Sequence, residues 1–255
     1  MSISHVADDR AIRPPLPEPV RRFVALAGPT RGVGPVTVVI DTEAWMWRPG
    51  MPRIPLEIRM SHVLGDAFVH DIRIGRRPFA IRFGLDAFID GHGLVRIGRT
   101  VRSGPAIDQG ALIAMWGEAL VFPTAWIGRS DVWWTPIDDR SARLVVTGLA
   151  GPIPLDVRFN PATGLPSSCE ADRYKDAGPL MRWTGEWINW RPTGRGALVP
   201  RRMRVRWMDE AQPWLDIQVR GVAFDPPVEA ELDRARRIRE IAVGRRQPEP
   251  KRSST

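Results

Sequence analysis

Apolar residues recur at every second position through much of this chain. Val36, Val38 and Ile40 begin one strand, and Leu56, Ile58 and Met60 alternate with Glu57 and Arg59 in another. Phe68, Ile72 and Ile74 follow, separated by Val69, Asp71 and Arg73. Phe79, Ile81, Phe83 and Leu85 then share one parity with Arg82 outward, and a Gly91-His92-Gly93 turn leads into Val95 and Ile97. A period of two predicts strands, and short turns between them predict an antiparallel meander with one face buried and one wet. The period then changes. From a cap at Asp108 to about Leu120, Leu112, Met115, Trp116, Ala119 and Leu120 form one stripe at helical spacing, while Ala111, Ala114 and Gly117 make the opposite side small rather than polar. A helix apolar almost all round is buried or covers something apolar.

Strand signals resume after Phe122-Pro123-Thr124-Ala125. Val132 to Ile137 and Ala142 to Leu149 flank an Asp138-Asp139-Arg140 turn, and Ile153, Leu155, Val157 and Phe159 alternate with Asp156 and Arg158. Cys169 to Tyr174, Trp183 to Trp190, and Met203, Val205 and Trp207 continue the pattern. In the last strand Leu215, Ile217 and Val219 share a parity that Val222 and Phe224 break, which predicts a bulge near Gly221. Val20 to Ala27, opened by Pro17-Glu18-Pro19, predicts a short helix. Val228, Leu232, Ala235, Ile238 and Ile241 predict a last one, with Asp233 to Arg237 and Arg236 to Glu240 pairs on its other face. The fold class is mainly β (α+β): a curled antiparallel sheet or half-open β-barrel of roughly ten strands, with a mid-chain covering helix and terminal helices. One domain is expected over residues 17–243, between disordered tails at 1–16 and 244–255.

Composition refines this picture. Of 255 residues, 43% are hydrophobic and 26% charged, ordinary values for a chain with a sizeable core. The start, MSISHVADDR, lacks a basic segment followed by an apolar one, and no run approaches the roughly 18 apolar residues of a membrane span. The single cysteine, Cys169, cannot form an internal disulfide, so a cytoplasmic setting is expected. The net charge of +8 raises nucleic acid or an anionic membrane surface as a partner, but the basic residues are scattered. A specific nucleic-acid partner is therefore not expected, whereas peripheral contact with anionic membrane stays open. The oligomeric state has no signal.

Catalytic motifs are absent: no Gly-x-Ser-x-Gly, no paired Cys-x-x-Cys, no His-Glu-x-x-His and no phosphate loop. Glu118 is the only charge between Asp108 and Arg129. Such a carboxylate either pairs with a cation, here one of the many arginines, or serves as an acid or base. His62 and His70 fall on the apolar parity of their strands. A loop over residues 65–67 would set them directly opposite, as hydrogen-bonded core histidines, as a pair flanking a ligand carboxylate, or as two ligands of a metal lacking a third and fourth. His5 and His92 read as solvated. Eleven tryptophans against one tyrosine are either core or the wall of a ligand cavity.

Several of these residues carry a resemblance. Leu85-Asp86-Ala87-Phe88 with Gly91 and Gly93, the helix ending at Glu118 with Phe122-Pro123-Thr124-Ala125, and Trp134 with Asp138 and Ser141-Ala142 resemble a bacterial family known only as a domain of unknown function. Asp172-Arg173-Tyr174, Trp183 to Trp190, Pro200 and Trp207 extend the likeness over roughly residues 17–224. The family often carries Arg-Tyr in the central helix, where this chain has Ala114-Met115-Trp116. More remotely, the architecture is similar to the half-open barrels of the lipoprotein carriers LolA and LolB, in which a helical lid helps enclose an acyl chain. With the tryptophans, the resemblance points to a hydrophobic or amphipathic, lipid-like ligand; binding without catalysis is the reading adopted, and no metal or cofactor is expected. Trp116, Glu118, Phe122, Trp126, Trp134, His62, His70 and Trp207 are the candidate contacts. The alternatives are an enzyme using Glu118 with His62 and His70, and a basic protein associating with anionic lipid or nucleic acid.

Overall fold

The computed structural model describes residues 15–27, 36–175 and 178–244. Helix α1 (Glu18–Ala27) precedes β1 (Thr37–Met46), β2 (Ile54–Val63), β3 (Ala67–Ile74), β4 (Ile81–Ile89), β5 (His92–Ile97) and the short β6 (Thr100–Arg102). Helix α2 (Pro105–Ala119) and a 3-10 turn (Pro123–Ala125) lead to β7 (Val132–Pro136), β8 (Ser141–Gly148), β9 (Gly151–Phe159), β10 (Pro166–Tyr174), β11 (Leu180–Pro192), β12 (Leu198–Trp207) and β13 (Leu215–Phe224). Helix α3 (Glu229–Gly244) follows. All thirteen strands form one antiparallel, curled and open sheet in the order β6-β5-β4-β3-β2-β1-β13-β12-β11-β10-β9-β8-β7. Two meanders thus meet where the first strand pairs with the last.

This topology explains the central helix. The β6 to β7 connection joins the two outer edges of the sheet, so the chain has to cross its inner face. It does so as a helix of 15 residues, about 22 Å long at 1.5 Å per residue. The inner face is apolar on one side of α2 and the sheet's side chains close round the other, so every α2 residue from Gly110 to Gly117 is buried, Leu112, Ile113, Met115 and Trp116 among them. Helix α1 seals the β7–β11 half of that face through Phe23, which meets Phe159 and Trp190 with ring centroids 6.2 and 6.3 Å apart. Helix α3 lies on the outer face, where Val228, Leu232 and Ala235 form a second core with Val39, Val69, Leu85, Ile89 and Leu94.

The helix starts earlier than expected: Gly104 precedes it and Pro105 opens it, while Asp108 sits within the first turn. Among the described residues the sheet has thirteen strands rather than roughly ten. The one without an alternation signal is β6, which holds a single apolar residue, Val101. The turn between β4 and β5 is Asp90-Gly91, both at positive φ (51° and 78°), with Ile89 paired to His92. It is a two-residue hairpin of the kind that Asp-Gly favours, so His92 and Gly93 belong to β5. Phe79 and Ile81 are 84% and 73% exposed. Pairing slips beside Phe83, since Ile72 meets Gly84 while Arg73 meets Arg82. The bulge turns Leu85 to the outer core and Asp86 to the inner face. The irregularity expected near Gly221 is present, because Asp41 pairs with Gly221 and Thr42 with Val219.

On α3, Arg236 pairs with Asp233 and reaches across to Asp90 rather than to Glu240, and Ile241 faces outward at 57% exposure. The tails expected at 1–16 and 244–255 lie outside the described residues except for Pro15, Leu16 and Gly244, and Leu16 packs against the core. His5 lies outside them too. Among the described residues no helix is long and apolar enough to cross a membrane.

An ion-pair junction ties α3 to the sheet. Asp71 Oδ2 accepts from Arg82 Nη2 at 2.6 Å and from Arg234 Nη1 at 3.0 Å, with its side chain 11% exposed. Burial raises the Asp71 pKa, but the two guanidinium groups outweigh it and hold the value below the ordinary 3.8. A carboxylate with a depressed folded pKa adds stability above its unfolded pKa, and that contribution is lost as pH falls through the folded value. Asp71→Asn is therefore expected to cost about 1–2 kcal/mol at pH 7. Urea melts of the two proteins should converge below about pH 4; a gap unchanged at pH 3 would show that the carboxylate charge is not what holds α3.

Candidate functional site

The site is assembled where α2 crosses β2 and β3. On β2 the inner-facing positions Leu56, Ile58 and Met60 end in His62, and on β3 Phe68 is followed by His70. The loop between them is Leu64-Gly65-Asp66, so His62 pairs with Phe68 and Met60 with His70. The expected direct opposition is thus displaced by two residues in the pairing, which keeps both histidines on one face and makes them diagonal neighbours, ring centroids 5.8 Å apart. Glu118, the penultimate residue of α2, comes down between them. Its Oε2 lies 2.9 Å from His70 Nε2 and 3.2 Å from His62 Nε2. The partner of this carboxylate is therefore a histidine pair, not an arginine. An apolar helix places Glu118 against imidazoles because no arginine projects from the facing positions of β2 and β3, where Arg59 and Arg73 sit on the opposite parity.

Burial raises the Glu118 pKa, but the attraction of His70 and polar contacts with both imidazoles overcome it and hold the carboxyl down at about 2. For His70 burial pushes the pKa down. Glu118 and Asp86 together carry it above the usual histidine value, against Arg173. Asp86 is raised by burial, despite His70 and Arg173. The cluster is an internal charge-compensated group in an otherwise apolar interior.

Beside it lies a cavity of about 90 Å³. His70, Asp86, Glu118, Arg173, Glu186 and Arg204 provide its polar wall; Met60, Trp183, Trp187, Met203, Trp214 and Ile217 provide much of the apolar one. Ala114 and Gly117 complete it from the helix, where the absence of side-chain bulk lets α2 rest on Trp183: a Cβ at Gly117 would stand 3.1 Å from that ring. A narrower space of about 10 Å³ adjoins, between Met60, Glu118, Phe122 and Met203. Cys169 is buried below Gly117, and burial pushes its thiol up to about 12.

Of the residues singled out from the sequence, His70 and Glu118 line the cavity, His62 touches Glu118 behind it, and Phe122 lines the adjoining space. Trp116 is buried away from the cavity, under the Arg129 guanidinium and against Gly65. Trp126 donates its Nε1–H to Leu120 O at 3.0 Å and packs edge-on against Trp134. Trp207 lies under Arg173 and Lys175. His92 is half-buried, with Nδ1 3.4 Å from Asp108 Oδ2. Asp86, Arg173, Trp183, Trp187 and Trp214 were not among the expected contacts. Arg173 shares the inward parity of Cys169 and Ala171, a signal present in the alternation. Asp86 carried none, because the bulge beside Phe83 reverses the parity before it.

Asp86, Glu118 and Arg173 fall in the segments that carried the resemblance, and the profile of a family of unknown function, DUF6544, matches residues 5–217. The chain belongs to DUF6544. No curated protein matches it. Among solved structures it is similar to a LolA superfamily protein from Nitrosomonas europaea, with 13% identity, a TM-score of 0.49 and coverage of 82% of this chain and 95% of the other. It is also similar to a domain from Vibrio parahaemolyticus described as an outer membrane lipoprotein-sorting protein, with 10% identity, a TM-score of 0.49 and coverage of 85% and 95%. In this DUF6544 chain the charged cluster and the tryptophan wall both lie within the matched span.

Proposed function

We propose that the protein binds an amphipathic, lipid-like small molecule on the inner face of its sheet. The observation that carries this reading is the cavity's composition: apolar and aromatic walls with a few convergent polar groups, the pattern of small-molecule sites. The apolar part of the ligand would lie against Trp183, Trp187 and Trp214, and its polar end would face His70, Asp86 and Arg173. Size sets a condition. A cavity of about 90 Å³ is well below the roughly 300–1,000 Å³ of drug-sized sites, so an acyl chain enters only if the wall moves. Met60 and Met203, unbranched and adaptable, are the side chains suited to yield. A catalytic reading draws on the contact of Glu118 with both histidines. In that reading Glu118, ionised at neutral pH, orients His70 and is not itself the acid.

The test is a titration of delipidated protein with a fluorescent long-chain fatty acid, followed by energy transfer from tryptophan. Saturable binding with Kd below roughly 100 μM, about −5.5 kcal/mol, is expected. Val205→Trp, which fills the cavity from β12, should abolish it, while Leu149→Trp on the exposed β8–β9 turn should not. Failure of the wild-type protein to bind any acyl ligand, or binding indifferent to Val205→Trp, would place the aromatic wall in the core alone.

A further inference from the structure

We propose that His62, His70 and Glu118 form a binding site for one divalent transition-metal ion of the zinc, nickel and cobalt class. The proposal is independent of the lipid-like ligand and concerns the chain on its own.

Three observations carry it. The first is the donor geometry. One ligand atom from each of the three residues lies within 4.8 Å of the others, and the two Nε2···Oε2 separations are 3.2 and 2.9 Å. An ion with bonds of about 2.0–2.2 Å to nitrogen and oxygen has neighbouring donors roughly 3.0–3.5 Å apart. The side chains therefore already stand near the spacing of a coordination shell, and an ion needs only small rotations about their terminal bonds. The second is His62. Its side chain is 2% exposed and neither ring nitrogen has a well-aligned hydrogen bond, although Nε2 points at Glu118. A buried polar group left in that condition costs free energy, and an ion between the three donors would engage Nε2 directly. The third is the surrounding charge. Asp86 lines the same cavity, and its buried Oδ1 has no hydrogen-bond partner among the described residues. Glu118 offers a divalent cation one negative charge at the ligand position, and Asp86, which also faces the Arg173 guanidinium, offers a second nearby.

The donor set fixes the class of ion. Two imidazoles and one carboxylate suit borderline transition metals, whereas calcium and magnesium take oxygen ligands. Three protein ligands leave at least one position open. His70 and Glu118 line the cavity, so that position faces it. The ligands come from β2, β3 and α2, far apart in the chain, so the site exists only in the folded protein and ion binding should stabilise it.

The experiment uses the full chain, purified without a polyhistidine tag and stripped with a chelator. Titration with Co²⁺ should give visible d–d bands that saturate at one ion per chain, and Zn²⁺ should displace them. His62→Ala and Glu118→Gln should each weaken binding at least about tenfold, with near-ultraviolet circular dichroism reporting that the tryptophan core is intact. Should either variant fail to fold, the wild-type protein still decides the matter. One equivalent of Zn²⁺ should shift the imidazole ¹⁵N resonances of His62 and His70 and leave those of His92 in place. Absence of saturable Co²⁺ binding, binding undiminished in both folded variants, or unmoved His62 and His70 resonances would overturn the proposal and leave the three residues as a proton-held structural cluster.

Discussion

Gly93→Ala is expected to destabilise this protein by about 3 kcal/mol or more, near the upper end of overpacking costs. At 2–4 °C per kcal/mol for a chain of this size, Tm should fall by roughly 10 °C. Gly93 lies on β5 directly beneath the first turn of α2. A Cβ there would stand 2.4 Å from the Ile107 carbonyl oxygen, 2.7 Å from its carbon and 3.0 Å from the Ala111 methyl. The obstructing atoms are backbone, so no rotamer change relieves the clash. The strand cannot retreat either, because it is bonded to its neighbours and the Gly93 N–H donates to Asp108 Oδ1 at 2.7 Å. The helix has to lift. Gly91→Ala is the control: its φ is 78° and a Cβ there would meet nothing within 4 Å, so it bears only the left-handed backbone cost of about 1–2 kcal/mol. Thermal melts of the two variants should separate clearly. Equal losses would mean that α2 does not depend on this close approach.

The two glycines also show how far the chain could be read in advance. The strands of the first meander other than β6, the apolar helix after them and the bulge near Gly221 follow from periodicity, since each is a local consequence of which face is buried. What periodicity does not fix is pairing. The histidine loop begins one residue early and so displaces the pairing by two, which is harmless because side chains alternate with a period of two. The slip beside Phe83 involves one residue on one strand, and it sends Leu85 outward and Asp86 inward. That reversal depends on where α3 lands, a contact separated in sequence by about the length of the sheet. The partner of Glu118 was obscure for the same reason: a lone carboxylate among 35 arginines points to an arginine by number, whereas the topology brings it to the two inward-facing histidines. The cavity wall in the second meander, from Trp183 to Trp214, was legible as strands but not as a wall, because nothing local says that it faces His70 across the sheet.

Glu118→Leu should be as costly as any single change at the site, and its rescue should reveal what the cluster is for. Removing one partner from a buried pair leaves the other charge uncompensated, a loss of about 3–5 kcal/mol and roughly 10 °C in Tm. The side chain keeps a fifth of its surface, toward the cavity, so the lower part of that range is expected. Replacing all the partners is a different matter. A buried ionic group exchanged for well-packed apolar residues of similar volume is often neutral or stabilising. The triple variant Glu118→Leu, His62→Leu, His70→Leu should thus recover most of the loss, since Met60, Phe68 and Phe122 already surround the position with apolar atoms. A fold that stands equally well without the cluster has no structural need of a carboxylate and two imidazoles in its interior. In that event a stable triple variant unable to bind Co²⁺ would tie these residues to the ion rather than to the fold. A triple variant that stays as unstable as Glu118→Leu would instead make the cluster a requirement of the sheet-helix junction, with β2, β3 and α2 held in register by it.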